Sequence, residues 1–589
     1  MRLPALRETA AENGTLTAFG GYRHTLDTDG TQFYEMENLS GRAFPALSPR
    51  ARRGFLTALE KPNGLFAKSG LCWVDGTRFY HNGVYRGDVS DGKKQFASMG
   101  AYVLIFPDKC CYNTADGSFE SLEAAFTTLG QVTFTFSDAA GTQYADQVIS
   151  ATAPADPADG DFWADTGSIP NTLRMYSAQE GQWQAVATSH VKISASGIGA
   201  LFSAYEGVTL SGCADAAFNG DFVLTGCGEN FLVVAGSLRE VTVQTAAVTV
   251  SRTVPDLDFV TECGNRLWGC SSSERKLYAC QLGNPKSWNS FAGLSTDSYA
   301  LTVGSDGDFT GAATHLGAVL FFKEDRIHKV YGTKPANYQV TDLCAPGVRK
   351  GSEQSLAAVG STLFYQGRDG IYAYEGAVPY LVSEALGAVP YHSGVGGAGG
   401  ERYYLSVCGE ASADPYTAAG SGHTTAGWHL FCYDKRRGLW YREDAAQVLA
   451  FANTHGELYA LGADGRLWSA GGRLSLSEDG EAFSPQSARE AAVVWSAETG
   501  DLCYGLTGRS YLRRLQVTAA MDAGASFSLA LSCDNGAWET VFTLTSDVLR
   551  TVAVPVLPKR CRLLRLRISG TGNVRLLALS RLLSGGSER

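Results

Sequence analysis

Apolar and polar residues alternate along most of this chain in short runs, and the runs are cut by glycine. The clearest case is residues 311–332, GAATHLGAVLFFKEDRIHKVYG. An apolar run follows Gly317, a charged turn (Lys323-Glu324-Asp325-Arg326) interrupts it, and Ile327–Tyr331 then alternates until Gly332. β-Branched and aromatic residues at period two between turn residues predict a β-hairpin. On this alternation Asp325 reads as a turn residue and His328 as an outward-facing strand position.

The same unit recurs. Aligned on its glycine, it begins at Gly70, Gly100, Gly264, Gly317, Gly360, Gly400 and Gly456. Each glycine precedes a short apolar strand, a polar turn and a second strand. From Gly264 onward the glycines fall 53, 43, 40 and 56 residues apart. Repeats of roughly 40–50 residues with about four strands each have the period of a propeller blade. The interval from Gly100 to Gly264 is 164 residues, one period plus an insertion.

The expected fold is therefore all-β: a β-propeller of about seven blades with an inserted small β domain and a C-terminal β-sandwich. Residues 1–121 hold an N-terminal segment and the first blades, 122–250 the insertion, 251–484 the remaining blades and 485–589 the sandwich. Within 1–60, residues 16–26 and 31–40 read as strands joined by the turn Asp27-Thr28-Asp29-Gly30. The strands around 16–40 are expected to close the last blade. In the insertion, Trp163 and Trp183 bracket a strand and read as core, and 196–212 is expected to include one short helix. In the sandwich, Asp534-Asn535-Gly536 reads as a hairpin turn.

Composition agrees with an ordered β protein. Hydrophobic residues are 44% and charged residues 18%, with 68 Gly, 26 Tyr and 28 Phe among 589 residues. No apolar run reaches the roughly 18 residues needed to span a membrane. The first sixteen residues carry charges and no apolar core, so no secretion signal is expected. The fourteen cysteines are scattered, with no CxxC, and read as buried free thiols rather than disulfides or a zinc knuckle. A net charge of −10 argues against wrapping nucleic acid over a broad surface. Two local basic sets stand out as partner contacts: Arg50, Arg52 and Arg53 in the loop FPALSPRARRG, and Lys559, Arg560, Arg562, Arg565 and Arg567 near the C-terminus. On 564–568, Leu564, Leu566 and Ile568 face one way and the two arginines the other.

Motifs for chemistry are weak. Gly394–Gly399 fits G-x-G-x-x-G, but a strand follows it rather than a helix, so it reads as an inter-blade loop and not a dinucleotide site. Residues 87–94, GDVSDGKK, lack the hydroxyl residue of a phosphate loop and read as a turn. The nine histidines form no metal or triad spacing. Residues 532–538 and 477–483 loosely resemble the aspartate-box turns of sialidases without the full spacing. Asp325, Asp369 and Asp464 sit at hairpin turns, where a carboxylate caps backbone N–H groups. No catalytic, cofactor-binding or metal-binding residue is expected, and no enzymatic activity.

Several stretches resemble a group of tailed-bacteriophage virion proteins: FGGYRH and MENLS followed by FPALSPRARRG, then GLFAKSGLCWVDGTRFYHNG and SMGAYVLIFPDK. Residues 282–305, FFKEDRIHKVYG and the C-terminal PKRCRLLRLRISGTGNVRLLALS are similar to the β-propeller proteins known as packaged-DNA stabilisation or tail hub and nozzle proteins. The resemblance implies a multi-copy component of the head–tail connector or tail, in the virion and, during assembly, in the host cytoplasm. Its implied partners are other copies of itself in a ring, portal, adaptor or tail proteins, and packaged DNA touched through local basic surfaces. The alternative reading is a carbohydrate-binding or glycan-cleaving tail protein acting on the host surface, whose acids converge only in the fold.

Overall fold

The computed structural model describes residues 11–585 apart from 26–27, 29, 145–146, 170–171, 187–188, 239–240, 411–425, 477–479, 505–507 and 546–548. Two residues of the expected turn at 27–30, Asp27 and Asp29, lie outside the described residues. The fold is all-β: among the described residues the only helical pieces are 3₁₀ turns of three residues. The chain divides into two compact units, Met1–Lys93 with Phe322–Ile327 and Asp342–Arg589, and Lys94–Phe321 with His328–Thr341.

Seven sheets among the described residues have the propeller-blade form, with strands antiparallel and in chain order: blade 1 (62–88), blade 2 (95–121), blade 3 (259–302), blade 4 (311–344), blade 5 (357–381), blade 6 (391–444) and blade 7 (448–469). The recurring glycine lies in the turn between the first and second strands of every one. All seven have positive φ, from 55° at Gly100 to 121° at Gly70. In blades 4 and 7 the preceding residue does too, Leu316 at 49° and His455 at 50°. Two consecutive left-handed residues make the tight turn whose twist matches its flanking strands. At Gly100, Gly264, Gly317, Gly400 and Gly456 a Cβ would meet nothing within 4 Å. Backbone conformation, not space, selects glycine there.

The strand after each turn is the apolar one. Leu267–Ser271, Ala318–Phe322 and Thr362–Gln366 are buried at every position. A strand covered on both faces by neighbouring blades reads as a continuous apolar run. The fourth strands of blades 1 and 5, Val84–Asp88 and Tyr380–Leu381, are largely exposed, whereas that of blade 6, Leu439–Asp444, buries Trp440 and Tyr441. The alternation rule misplaces His328 because this hairpin has no solvated face: its ring is 2% exposed and shares a hydrogen bond with Ser305 Oγ at 2.9 Å. Asp325 is the exposed turn residue expected.

In the first unit, the inner strands of blades 5, 6, 7 and 1 lie side by side in that order. The glycine-rich motif is the inner strand of blade 6, Tyr391–Gly399, and not an inter-blade loop. A Cβ on Gly396 would sit 2.4 Å from the Ser355 carbonyl oxygen, and one on Gly397 2.5 Å from Phe451 Cβ. The glycines let the 3₁₀ turn Glu353–Ser355 approach on one side and the strand Val448–Thr454 on the other. Blade 7 takes its fourth strand from far upstream: Gly54–Ala58 pairs with Arg466–Ser469. The closing strand is thus not 16–40. Leu56 is fully buried and packs in one cluster with Leu65 and Trp73 of blade 1 and Tyr459 and Leu461 of blade 7.

The strands Ala11–Leu16 and Phe33–Glu37 belong instead to the two sheets of the C-terminal region, and Leu39–Ser40 pairs with Ser48–Pro49. Ala11–Leu16 pairs with Val574–Gly585, beside Ser510–Met521 and Arg550–Val554. Phe33–Glu37 pairs with Val494–Thr499, next to Leu564–Thr571, Ser526–Cys533 and Glu539–Thr545. Asp534 and Asn535 both have positive φ at the expected hairpin turn. Phe19, Tyr22, Phe33 and Met36 join Phe431 and Trp440 of blade 6 to Leu515, Phe527 and Ile568 of the sandwich in a single core.

In the second unit, the inner strands of blades 2, 3 and 4 are neighbours. Between blades 2 and 3 stands an eight-stranded sheet that starts at Ala124–Thr127 and ends at Thr249–Arg252, and these two strands pair. It has its own core around Phe134, Phe136, Ile193 and Leu232. The expected short helix in 196–212 is a run of turns followed by the strand Gly207–Ser211. Trp163 and Trp183 meet edge to face at 5.5 Å across a smaller sheet, as core residues do. Arg252, buried, anchors the module through Glu206 at 2.7 Å and the Leu122 carbonyl at 3.0 Å. Lys94 of GDVSDGKK is buried against Asp108 at 2.6 Å, a structural ion pair.

Leu316 is 63% exposed and left-handed, so Leu316→Asn should stabilise the protein by a few tenths of a kcal/mol, whereas Gly317→Ala should cost about 1–2 kcal/mol. Thermal unfolding of both variants checks the pair. Leu56→Ala should cost about 2–5 kcal/mol, because the closing strand carries a fully buried side chain. A denaturant midpoint equal to wild type would show that Gly54–Ala58 does not close blade 7.

Candidate functional site

The loop between Ser48–Pro49 and the closing strand carries Arg50, Arg52 and Arg53. Its arginines divide by direction. Arg50 is 7% exposed. Its guanidinium forks Glu490, donating at 2.6 and 2.8 Å, and its Nε donates to Asn38 Oδ1 at 2.7 Å. Arg53 donates to Asp444 at 2.6 Å and Glu443 at 2.9 Å and lies 4.1 Å over the Trp468 ring. Glu490 also accepts the Arg53 backbone N–H at 3.0 Å. These two arginines are structural, not free contacts. Arg52, between them, points outward. Its Nε donates to the Glu490 carbonyl, and its terminal nitrogens make no bond among the described residues.

Arg52 is one wall of a groove of about 700 Å³ that lies wholly within the first unit. The floor is built from small residues, among them Ala51, Gly471, Gly472, Ala523, Gly524 and Gly572. Around it stand Arg42, Arg52, Arg489 and Arg575, all exposed. Arg489 donates from Nε to the Gly472 carbonyl at 3.1 Å, and neither Arg42 nor Arg575 has a side-chain partner among the described residues. The one carboxylate in the lining, Asp522, accepts from Asn573 at 2.7 Å. Small residues below and open guanidinium forks around make a cradle for a planar anion.

A second cavity of about 530 Å³ shares Arg489 with the first. Phe55, Trp468, Asp464, Arg466 and Glu490 line it. Asp464 Oδ1 accepts the Arg466 N–H at 3.1 Å, the turn role its position suggested. Glu490 is buried enough to raise its pKa, but the hydrogen bonds and charge of Arg50 and the Arg53 N–H more than offset this and hold it below the usual carboxylate range.

The C-terminal basic set does not form a free surface. Arg565 is 1% exposed, pairs with Glu498 at 3.0 Å and lies over the rings of Tyr34 and Trp538. Arg567 pairs with the same carboxylate and lies 4.2 Å over Trp538. The alternation of this strand is as expected, with Leu564, Leu566 and Ile568 in the core, but its other face is covered. Lys559 is exposed and paired with Glu539 at 2.9 Å, and Arg560 and Arg562 are exposed beside it. Arg42, Arg489 and Arg575 carried no sequence signal: each is a lone basic residue, brought to the groove by pairings hundreds of residues apart. Asp534 accepts the backbone N–H groups of Arg562 and Leu563 at 2.7 and 3.0 Å, a turn role. Residues 477–479 of the other aspartate-rich stretch lie outside the described residues.

No protein-family model matches this chain, and no curated protein matches it. Among solved structures it is similar to an exo-β-1,3-galactanase from Phanerochaete chrysosporium, with 9% identity and a TM-score of 0.20 over 55% of this chain and 94% of that one. It is also similar to the phage phi92 endosialidase, with 9% identity and a TM-score of 0.21 over 80% of this chain and 69% of that one. Kluyveromyces lactis Hsv2 aligns at 12% identity and a TM-score of 0.24, over 42% and 70%. Similarity of this size says nothing about which ligand this chain takes. The names of these structures include a galactanase and an endosialidase, and the expectation of no enzymatic activity is not carried forward.

Because the Glu490 pKa is depressed, its contribution to stability is full above the ordinary glutamate value of about 4.3 and is lost as pH falls through the lower folded value. The difference in melting temperature between wild type and Glu490→Gln should be constant from neutral pH down to about pH 5 and shrink below about pH 4. A difference that does not change with pH would show that Glu490 is not the ionised partner of Arg50.

Proposed function

We propose that this chain is a tailed-bacteriophage virion protein that holds an acidic glycan of the host surface in its arginine-lined groove. The observation that carries the reading is the convergence of Arg42, Arg52, Arg489 and Arg575, with open donors, on one small-residue cradle in a chain of net charge −10. Guanidinium groups match sugar carboxylates in bidentate geometry. The groove is a compact concavity rather than the broad basic face that a nucleic-acid duplex requires. The adjoining cavity adds Phe55 and Trp468 as apolar walls and Asp464 and Glu490 as carboxylates, and a pair of carboxylates is what glycosidic hydrolysis uses. The resemblance of 19–24, 36–40, 44–54, 64–83, 98–109, 282–305, 321–332 and 558–580 to tailed-bacteriophage virion proteins supplies the setting. In it, copies of the chain form a ring that docks on portal, adaptor or tail proteins.

Purified protein titrated with oligosialic acid, a neutral dextran and a short DNA duplex tests the reading. Binding should be confined to the acidic saccharide and weaken with salt. Each arginine-to-alanine replacement at 42, 52, 489 or 575 should weaken it about tenfold, and the fourfold variant should not bind. A reducing-end assay on the bound saccharide reads cleavage, and Glu490→Gln should then lower the rate. Preference for the duplex, or unchanged binding by the fourfold variant, contradicts the proposal.

A further inference from the structure

Three thiols converge in the C-terminal sandwich, at one end of the strand Leu564–Thr571. Cys533 ends the strand Ser526–Cys533 and stands directly opposite Leu564 in the ladder. The turn holding Cys503 is bound to the same residue: the Leu502 N–H donates to the Leu564 carbonyl at 2.8 Å, and the Leu564 N–H donates to Asp501 Oδ1 at 3.0 Å. Asp501 Oδ1 also accepts the Cys503 N–H at 2.9 Å. Cys561 is locked three residues upstream by two reciprocal backbone bonds with Ser510, at 2.8 and 2.9 Å. These ladders bring the three cysteines to one end of the strand, where Cys503 and Cys561 share one buried core, Cys533 packs against it, and the Cys561 thiol lies 3.8 Å from the Ser510 carbonyl oxygen. All three are free, Cys503 and Cys561 buried and Cys533 half-buried.

We propose that Cys503 and Cys561 are a disulfide-forming pair that closes by exchange with a low-molecular-mass disulfide and staples the turn after Val494–Thr499 to the strand Leu564–Thr571. The attacking sulfur is Cys503. Its thiol is held below the ordinary cysteine value by the hydrogen bond it receives from Cys561, whereas burial pushes Cys533 up to about 12. The thiolate, not the thiol, is the nucleophile. Cys503 attacks one sulfur of the small disulfide, and one small thiolate leaves. Cys561 then attacks the Cys503 sulfur and expels the second small thiolate, which takes up the Cys561 proton as it leaves. Two protein thiols are oxidised to one disulfide, and the small disulfide is reduced to two thiols. Cys533, on the opposite side of Cys561, keeps its proton and its place in the ladder.

Folded protein incubated with glutathione disulfide at about pH 8, acid-quenched, alkylated without reduction and digested tests this. The expected product links the peptides of Cys503 and Cys561, and the oxidised protein melts several degrees higher than the reduced one. The rise should vanish in Cys503→Ser and in Cys561→Ser but persist in Cys533→Ser and in Cys344→Ser, the latter a change at an exposed thiol. Linkage of Cys533 to Cys561 as the main product, or no linkage in the folded wild-type protein, overturns the proposal. So does a linkage that forms without raising the melting temperature.

Discussion

The rest of the first unit depends on the web of charges that holds residues 50–53. Arg50 and Arg53 reach Glu443 and Asp444 of blade 6 and Glu490 beyond blade 7, segments about 400 residues away in sequence. The chain crosses here from a strand that packs on the sandwich into the strand that closes blade 7. Buried guanidinium and carboxylate groups are costly to bring out of water unless every one finds its partner. Here the partners come from three segments, so the charges are satisfied only when all three are in place. The same web turns Arg52 outward and sets the wall of the groove. Closure and groove thus share one set of contacts.

Around that fixed point the blades repeat one local device. A left-handed glycine turns the inner strand into an apolar second strand, which is buried at nearly every position. The inner strand of blade 6 shows the other use of glycine, where the 3₁₀ turn Glu353–Ser355 on one side and the inner strand of blade 7 on the other come within 2.5 Å of where a Cβ would stand. The sandwich cannot be completed by its own residues alone, because each of its sheets takes one strand from residues 11–37.

What was legible in the sequence was what is local. All seven glycine hairpins were readable, since turn conformation and strand burial both act within about fifteen residues. The closing strand was not, because Gly54–Ala58 is five residues long and its partner lies at 466–469. Side-chain alternation placed Leu564, Leu566 and Ile568 correctly but could not say that Glu498, Tyr34 and Trp538 cover the other face. His328 was misplaced for the same reason: period two tells which residues share a face, not whether water reaches it. One of the four groove arginines, Arg52, was within reach through the Arg50–Arg53 cluster, whose other two arginines proved structural. Arg42, Arg489 and Arg575 are single residues that only the tertiary fold brings together. The expectation of no enzymatic activity rested on missing local motifs, which acids brought together from separate strands would not leave.

The most direct measurement is a structure of the protein bound to an acidic oligosaccharide, determined by electron microscopy of assembled particles. The account predicts density for the saccharide between Arg42, Arg52, Arg489 and Arg575, with the groove open to solvent in every copy. Saccharide density at another site, or a groove filled by a neighbouring subunit in the assembled particle, would contradict it.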